Sequence, residues 1–550
     1  MLGHGHRWII CCLLMIAIDG PFPDAQAADP HRFDVLLRGG LVVDGSGRSP
    51  FRADVGIIAG RIVAVTRLDD AGGAEVIDMS HRVICPGFID LHSHADRNIL
   101  EFRGAENYIR QGVTTLVCGN CGSSPTDVST FFKQLRAQGT GPNIALLIGH
   151  GSVREQVMGR VDRAPTAKEL EEMKRTVREA MKAGAVGLSS GLRYGAGAYA
   201  RTDEIVALAK EIAPQGGFYA THMRDEGTRI LAALEEALEI GHKAGVPVHV
   251  SHHKISSASV FGLTRQTLAR IDRARRQGVD VTLDQYPYGA GSGSVGLYVP
   301  QSSLAGGVAA FRRRIADVQQ KAAIVLAIED LLVRKLYEAD QSPADAEYTA
   351  AALTRIQIAR APHDTKLEGL NLTEILKSRK QPVSLHNGAL LLVELVALGV
   401  RGINHTIDAR PGGDVDRVMK HPQTCIASDG SVFGFGEGNP HPRSYGCYPR
   451  VLGHYVRNRK LLTLEQAIHK MTGLPARRLG WKDRGLVKPG YWADLVVLDT
   501  TTVTDKATFL APHQHSVGID HVLVRGRFVM KSTSMTGQLP GQPTRTPATD

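Results

Sequence analysis

The stretch RVICPGFIDLHSHAD, residues 82–96, is a β-type apolar run that ends in a His-x-His pair. Side chains alternate sides along a strand, so residues two apart share a side, and His92 and His94 are expected to point the same way. In a parallel α/β barrel the reactive groups sit at the C-terminal ends of the strands. The residues just past the chain's other apolar runs therefore decide between a barrel site and an accidental pair. Seven more short runs occur downstream, in GVTTLVC, PNIALLIG, AVGLSS, GGFYAT, GVPVHVS, GVDVTLD and TCIAS. Amphipathic segments separate them, among them AKELEEMKRTVREAMKAGA (167–185), TDEIVALAKEIA (202–213) with Thr202 or Asp203 as N-cap, and ILAALEEALEIGHKAG (230–245). Eight strands spaced by helices predict an α/β chain built on a (β/α)8, TIM-like barrel. An open doubly wound sheet is the alternative, but no G-x-G-x-x-G follows any strand.

The flanks read differently. FDVLLRGGLVVDGSG and DVGIIAGRIVAVTRL are Val/Ile-rich runs broken by turn glycines, and the pattern returns in YWADLVVLD (491–499) and HVLVRGRFVM (521–530). Residues 28–84 and 480–535 are thus expected to form one small β-sandwich domain from both chain ends, enclosing a barrel over 85–479. Residues about 303–382 interrupt the strand–helix rhythm and read as an inserted lid subdomain. Residues 536–550, rich in Ser, Thr, Pro and Gly, read as a flexible tail.

Composition bounds the function. Hydrophobic residues at 43% and charged residues at 22% of 550 suit a folded globular protein. The formal charge is +10, but Lys and Arg are scattered with no basic stripe interleaved with aromatics, so a solvated basic surface is expected and a nucleic-acid partner is not. Arg7 followed by the apolar run Trp8–Ile18 and the triplet Ala25-Gln26-Ala27 matches an export signal over residues 1–27. That run is too short to span a bilayer, and the mature protein is expected to be periplasmic or secreted with no membrane span. Cys11 and Cys12 would leave with the signal, and Cys85, Cys118, Cys121, Cys425 and Cys447 would remain. An odd number cannot all pair, so at least one is a free thiol or a ligand.

Five strand ends carry metal-ligand residue types: His92 and His94, Cys121 just past GVTTLVC, His222 after FYAT, His252 after VHVS, and Asp429 after CIAS. A single histidine after a strand is more often a satisfied core residue. The ordered set points to a zinc-type centre of imidazole and thiolate ligands with a carboxylate beside it. C-x-x-C in VCGNCG (117–122) also fits a tight disulfide or an exchange motif.

GFIDLHSHAD, GVTTLVCGNCG, THMRDEG, VSHHK, DQYPY, ASDG with HPR beyond it, and MTGLPARRLGWKDRGLVKPGYWADLVVLD together resemble the D-aminoacylases, the N-acyl-D-amino-acid deacylases of the amidohydrolase superfamily. The resemblance spans nearly the whole chain after the leader. It implies one tightly bound zinc (Zn2+) held by Cys121, His222 and His252, a weaker second metal position served by His92 and His94 with the cysteine able to bridge, and Asp429 as catalytic general base and acid. It also implies substrate contacts from Lys254, Arg443, Tyr194, Tyr286 and Ser292, with an N-acyl-D-amino acid as the small-molecule partner. Cys118 has no role in that scheme and is expected to be a free thiol in the barrel wall. His253 is expected to turn away from the site, and His150 to order a loop. Hydrolysis of another amide, such as a cyclic amide or a dipeptide, is the alternative. Cyclic-amide hydrolases of the hydantoinase type bridge two metals with a carboxylated lysine, and the matching position here is Cys121.

Overall fold

The computed structural model describes residues 32–69 and 72–545, so the expected leader over 1–27 lies outside the described residues. The barrel strands are Phe88–Asp90, Val113–Cys118, Asn143–Leu146 with its continuation Ile148–Gly149, Gly187–Gly191, Phe218–His222, Val248–Val250, Val281–Gln285 and Thr424–Ile426. Neighbours run parallel throughout, with Thr115 opposite Asn143, Ser190 opposite Thr221, Val250 opposite Leu283 and Leu283 opposite Thr424. Just past the first and last strands the ring closes. Asp429 N donates to His92 O at 2.8 Å and His94 N to Gly430 O at 2.8 Å, around a parallel bridge from Ser93 to Gly430.

Period-two alternation sorts the side chains into two cores. Ile89, Ala145, Leu147, Phe218, Ala220 and Cys425 fill the barrel interior with Leu474, Leu479 and Trp481, whereas Phe88, Ile144, Leu146, Tyr219, Val248 and Val250 pack outward against the helices. Helix ends follow local chemistry. Ala167–Ala183 starts at a capping box, in which Thr166 and Glu169 satisfy each other's backbone N–H groups, and stops at Gly184 in the left-handed region.

The run at 82–96 is two strands, not one. Val83–Pro86 joins the terminal sheet, where Cys85 pairs with Val496, and Phe88–Asp90 begins the barrel. Gly87 makes the crossing, at a point where a Cβ would stand 2.1 Å from Thr114 Oγ1. The terminal sheet has nine strands drawn from both chain ends. Most of its neighbours are antiparallel, but Arg32–Val42 pairs in parallel with Gly72–Asp78 and with Val83–Pro86. Val35, Val55, Ile57 and Ile62 from one end share a core with Leu495, Val497 and Leu523 from the other.

Residues 536–545 are not the loose segment that their composition suggests. Gly541 N donates to Thr140 O, Thr544 N to Ile144 O, and Trp481 Nε1 to Arg545 O, so this stretch satisfies backbone groups that the start of a barrel strand would otherwise leave open.

A three-stranded antiparallel sheet, Gly291–Ser294, Arg401–Asn404 and Ile356–Arg360, carries helices Gly307–Ala316, Val318–Leu336, Ala346–Thr354, Leu372–Ser378 and Leu385–Ala397. These elements bury a core of their own from Val295 to Val400, wider than 303–382 because Ser292 pairs with Ile403 and brings both ends of the segment together. Leu332 is fully buried there. Leu332→Ala is expected to cost about 2–5 kcal/mol of local stability, seen as faster amide hydrogen exchange within 295–400 while the barrel strands keep their protection.

Candidate active site

The turn after Val113–Cys118 is built by two glycines. Gly119 (φ 75°) leaves no room for a side chain, since a Cβ would lie 2.1 Å from Leu147 O, and at Gly122 (φ 76°) one would lie 2.7 Å from Gly191 N. This tight turn sends the two cysteines apart. Cys118 is buried in the outer core, where burial pushes its thiol well above the usual range. Cys121, at φ 56°, turns its Sγ to 3.3 Å from His92 Nε2, 3.5 Å from His252 Nε2 and 4.0 Å from His222 Nδ1. All five cysteines of the described residues are free thiols, so C-x-x-C is not a disulfide here.

His222 Nδ1 and His252 Nε2 stand 2.8 Å apart. In a tetrahedral zinc site, bonds of roughly 2.0–2.3 Å would place ligand atoms about 3.3–3.6 Å from one another. The separations of 2.8, 3.5 and 4.0 Å bracket that spacing, and Cys121, His222 and His252 fit a metal ion. His92 and His94 form a second donor group with the same cysteine.

Buried carboxylates aim these rings. Asp284 lies 3.3 Å from His92 Nδ1 and 2.8 Å from His249 Nε2, and accepts the backbone N–H of His252 at 2.8 Å. Glu226 lies 3.0 Å from His252 Nδ1 and 3.5 Å from His222 Nε2. His92, His222 and His252 thus each have one nitrogen held by a carboxylate and the other turned to the centre, as metal-ligating histidines require.

The electrostatics suit such a centre. Burial drives the Cys121 thiol up, but His92 and His252 outweigh it and hold it well below the usual range. Burial and Lys254 push His252 down, yet Glu226 and Cys121 raise it to about 9. For Asp429, burial is overcome by Arg443, His92 and a His94 hydrogen bond, which keep it well below the carboxylate range. Its Oδ1 is 3.1 Å from His94 Nε2 and 3.5 Å from His92 Nε2, and its Oδ2 is 2.8 Å from Arg443 Nη1.

The residues expected to contact substrate line one cavity of about 440 Å³ with this cluster: Tyr194, Lys254, Tyr286, Ser292 and Arg443. Tyr194 Oη is 3.4 Å from His222 Nδ1, and Arg443 stacks 4.7 Å over the Tyr286 ring. Lys254 Nζ donates to Glu226 Oε1 at 2.6 Å and to His252 O at 3.1 Å, and sits 3.0 Å from His252 Nδ1. An ammonium has three N–H groups, so in this state its donors face its own chain. His253 points to Thr267 and His150 to Glu204, each away from the centre.

Asp284, Glu226 and His249 were not singled out from the sequence. Asp284 could have been, because it ends the apolar run GVDVTLD as His222 and Asp429 end theirs. Glu226, four residues past His222 in THMRDEG, carries no comparable signal.

The amidohydrolase family model matches residues 75–530. The chain belongs to the amidohydrolase family, in its D-aminoacylase branch. It is 36% identical to a D-aminoacylase of Alcaligenes xylosoxydans xylosoxydans, covering 94% of this chain and 98% of that one. It is 35% identical to an N-acyl-D-glutamate deacylase of the same organism, over 90% and 93%. A solved N-acyl-D-glutamate deacylase from Bordetella bronchiseptica, complexed with zinc and a phosphonate mimic of the tetrahedral intermediate, superposes with a TM-score of 0.77 at 34% identity, covering 94% of this chain and all of that one.

Asp284→Asn should weaken metal binding about 10–100-fold by freeing the His92 ring, measured by competition with a chelator. Unchanged affinity would show that the ring is held by other contacts.

Proposed function

We propose that this amidohydrolase cleaves the amide bond of N-acyl-D-amino acids, releasing a carboxylate and a free D-amino acid. Cys121, His222 and His252 would hold one zinc tightly, and His92 and His94 would serve a weaker second position. The observation that carries the reading is Asp429, an ionised carboxylate turned toward the metal donors on one side and anchored by Arg443 on the other. Zinc bound there would polarise the scissile carbonyl and lower the pKa of the attacking water.

Asp429 takes the proton of that water and returns it to the amide nitrogen, which is a poor leaving group until protonated. Arg443 keeps Asp429 ionised at rest, and once protonated the same carboxyl is a ready acid. Arg443 also presents donors to the α-carboxylate of the substrate, with Lys254 adding charge. Tyr194, Tyr286 and Ser292 shape the pocket around it. The leader over residues 1–27 would export the enzyme to the periplasm or beyond. Among the described residues no helix is long and apolar enough to cross a membrane.

Zinc-loaded protein assayed on paired N-acetyl-D- and N-acetyl-L-amino acids should hydrolyse only the D-series. Turnover confined to L-substrates, or none at full zinc occupancy, would overturn the assignment. Asp429→Asn should keep its zinc, read by elemental analysis, and lose about 10²–10⁴-fold in kcat. Removal of zinc by a chelator should abolish turnover, and added zinc should restore it.

A further inference from the structure

Behind the cavity wall lies a buried imidazole that takes no part in the chemistry above. His441, the first residue of HPR, is 3% exposed, and the chain itself occupies both of its ring nitrogens. Nδ1 accepts the backbone N–H of Arg443 at 3.0 Å, and Nε2 stands 2.9 Å from Ala290 O. A carbonyl oxygen can only accept, so Nε2 carries the ring proton and Nδ1, already an acceptor, carries none. His441 is thus a neutral ring held in one tautomer. Burial, with Arg443 beside it, keeps the imidazole well below its usual range, in accord with that state.

Each bond ends on a different wall of the cavity. Arg443 opens the helix Arg443–Arg450, where its N–H would be an orphan donor at a helix start if the imidazole did not accept it. Ala290 leads into Gly291–Ser294, an edge strand of the inserted subdomain's sheet, and Ser292 on that strand lines the cavity. The ring is boxed by Tyr286, Tyr288 and Phe509, with centroids 6.0, 5.2 and 5.0 Å away. Tyr286 is the same ring over which Arg443 stacks. One side chain therefore ties the guanidinium, the tyrosine beneath it and the serine-bearing strand together, although His441 and Ala290 are 151 residues apart along the chain.

We propose that His441 is a positioning residue for the α-carboxylate of the substrate: its two hydrogen bonds fix how Arg443 stands to Tyr286 and Ser292, and so the width of the carboxylate site. The inference rests on the deacylase reading and adds to it a residue that acts without touching substrate. Asp429 is held by His92 O and by His94 without help from His441, so the chemical step is left in place. The loss on removing the imidazole should therefore fall on KM, as for binding shared by ground and transition states.

The test uses zinc-loaded enzyme and whichever N-acetyl-D-amino acid the unaltered protein turns over best. His441→Phe keeps a ring in the aromatic box but neither hydrogen bond, and should raise KM about tenfold or more. Its kcat should stay within about threefold, with zinc content unchanged. Inhibition by the product D-amino acid should weaken by the same factor as KM rises. His441→Asn can place an amide oxygen where Nδ1 accepts from Arg443, and His441→Gln an amide nitrogen where Nε2 donates to Ala290 O. Each should recover part of the KM, which a purely space-filling role would not predict. An unchanged KM in His441→Phe would overturn the inference, as would a drop in kcat and zinc content in place of a rise in KM. If His441→Phe does not fold, the other two decide, and an unaltered KM in both would overturn it. In each of these cases turnover by the unaltered enzyme leaves the deacylase reading standing. If the unaltered enzyme hydrolyses no N-acetyl-D-amino acid, both fall.

Discussion

Asp284 is the side chain on which the site most depends. Its carboxylate is fully buried, an environment that raises a carboxyl pKa, yet His92 and His249 hold it well below the usual range. It touches the ring of His92 after the first barrel strand, the ring of His249 within a later one, and the backbone N–H of His252 beyond that. A buried charge is tolerated only when it is paired and its lone pairs are filled. The same contacts that make Asp284 tolerable therefore fix one imidazole and the backbone beneath another. Glu226 does this from the opposite side for His222, His252 and Lys254.

Backbone strain is also present at this place. Cys121, His252 and Asp429 all have positive φ, at 56°, 35° and 50°, a conformation that costs a residue with a side chain about 1–3 kcal/mol. Barrel closure holds Asp429 there. Its N–H is bound by His92 O, and Asp90, on the first strand, accepts both the backbone N–H and the hydroxyl of Ser428. The hydrogen bonds that shut the ring thus also set the distance from Asp429 to the His-x-His pair.

The donor cluster and the far wall of its cavity rest on different cores. The donors and Asp429 stand on strand ends locked by the barrel packing, whereas Ser292 and Arg401 reach the cavity from a subdomain with its own apolar interior. A rigid scaffold that carries a separable wall lets the wall change without disturbing the centre.

The eight barrel strands, the helices between them and the ligand types at the strand ends were legible in the sequence, because hydrophobic period and turn glycines are local properties. The different fates of Cys121 and Cys118 were fixed by the structure, where a Cβ at Gly119 or Gly122 would strike Leu147 O or Gly191 N and the turn sends the two thiols apart. The split of residues 82–96 into two strands was decided by pairing partners at Val496 and Thr115, hundreds and tens of residues away. Distant partners likewise anchored the chain at 540–544 against Thr140–Ile144. Only the tertiary structure drew Asp284 and Glu226 behind the imidazoles and turned the Lys254 ammonium onto its own chain. Spacing along a chain encodes period and turn, but which charges meet, and in how little water, is settled when distant segments pack.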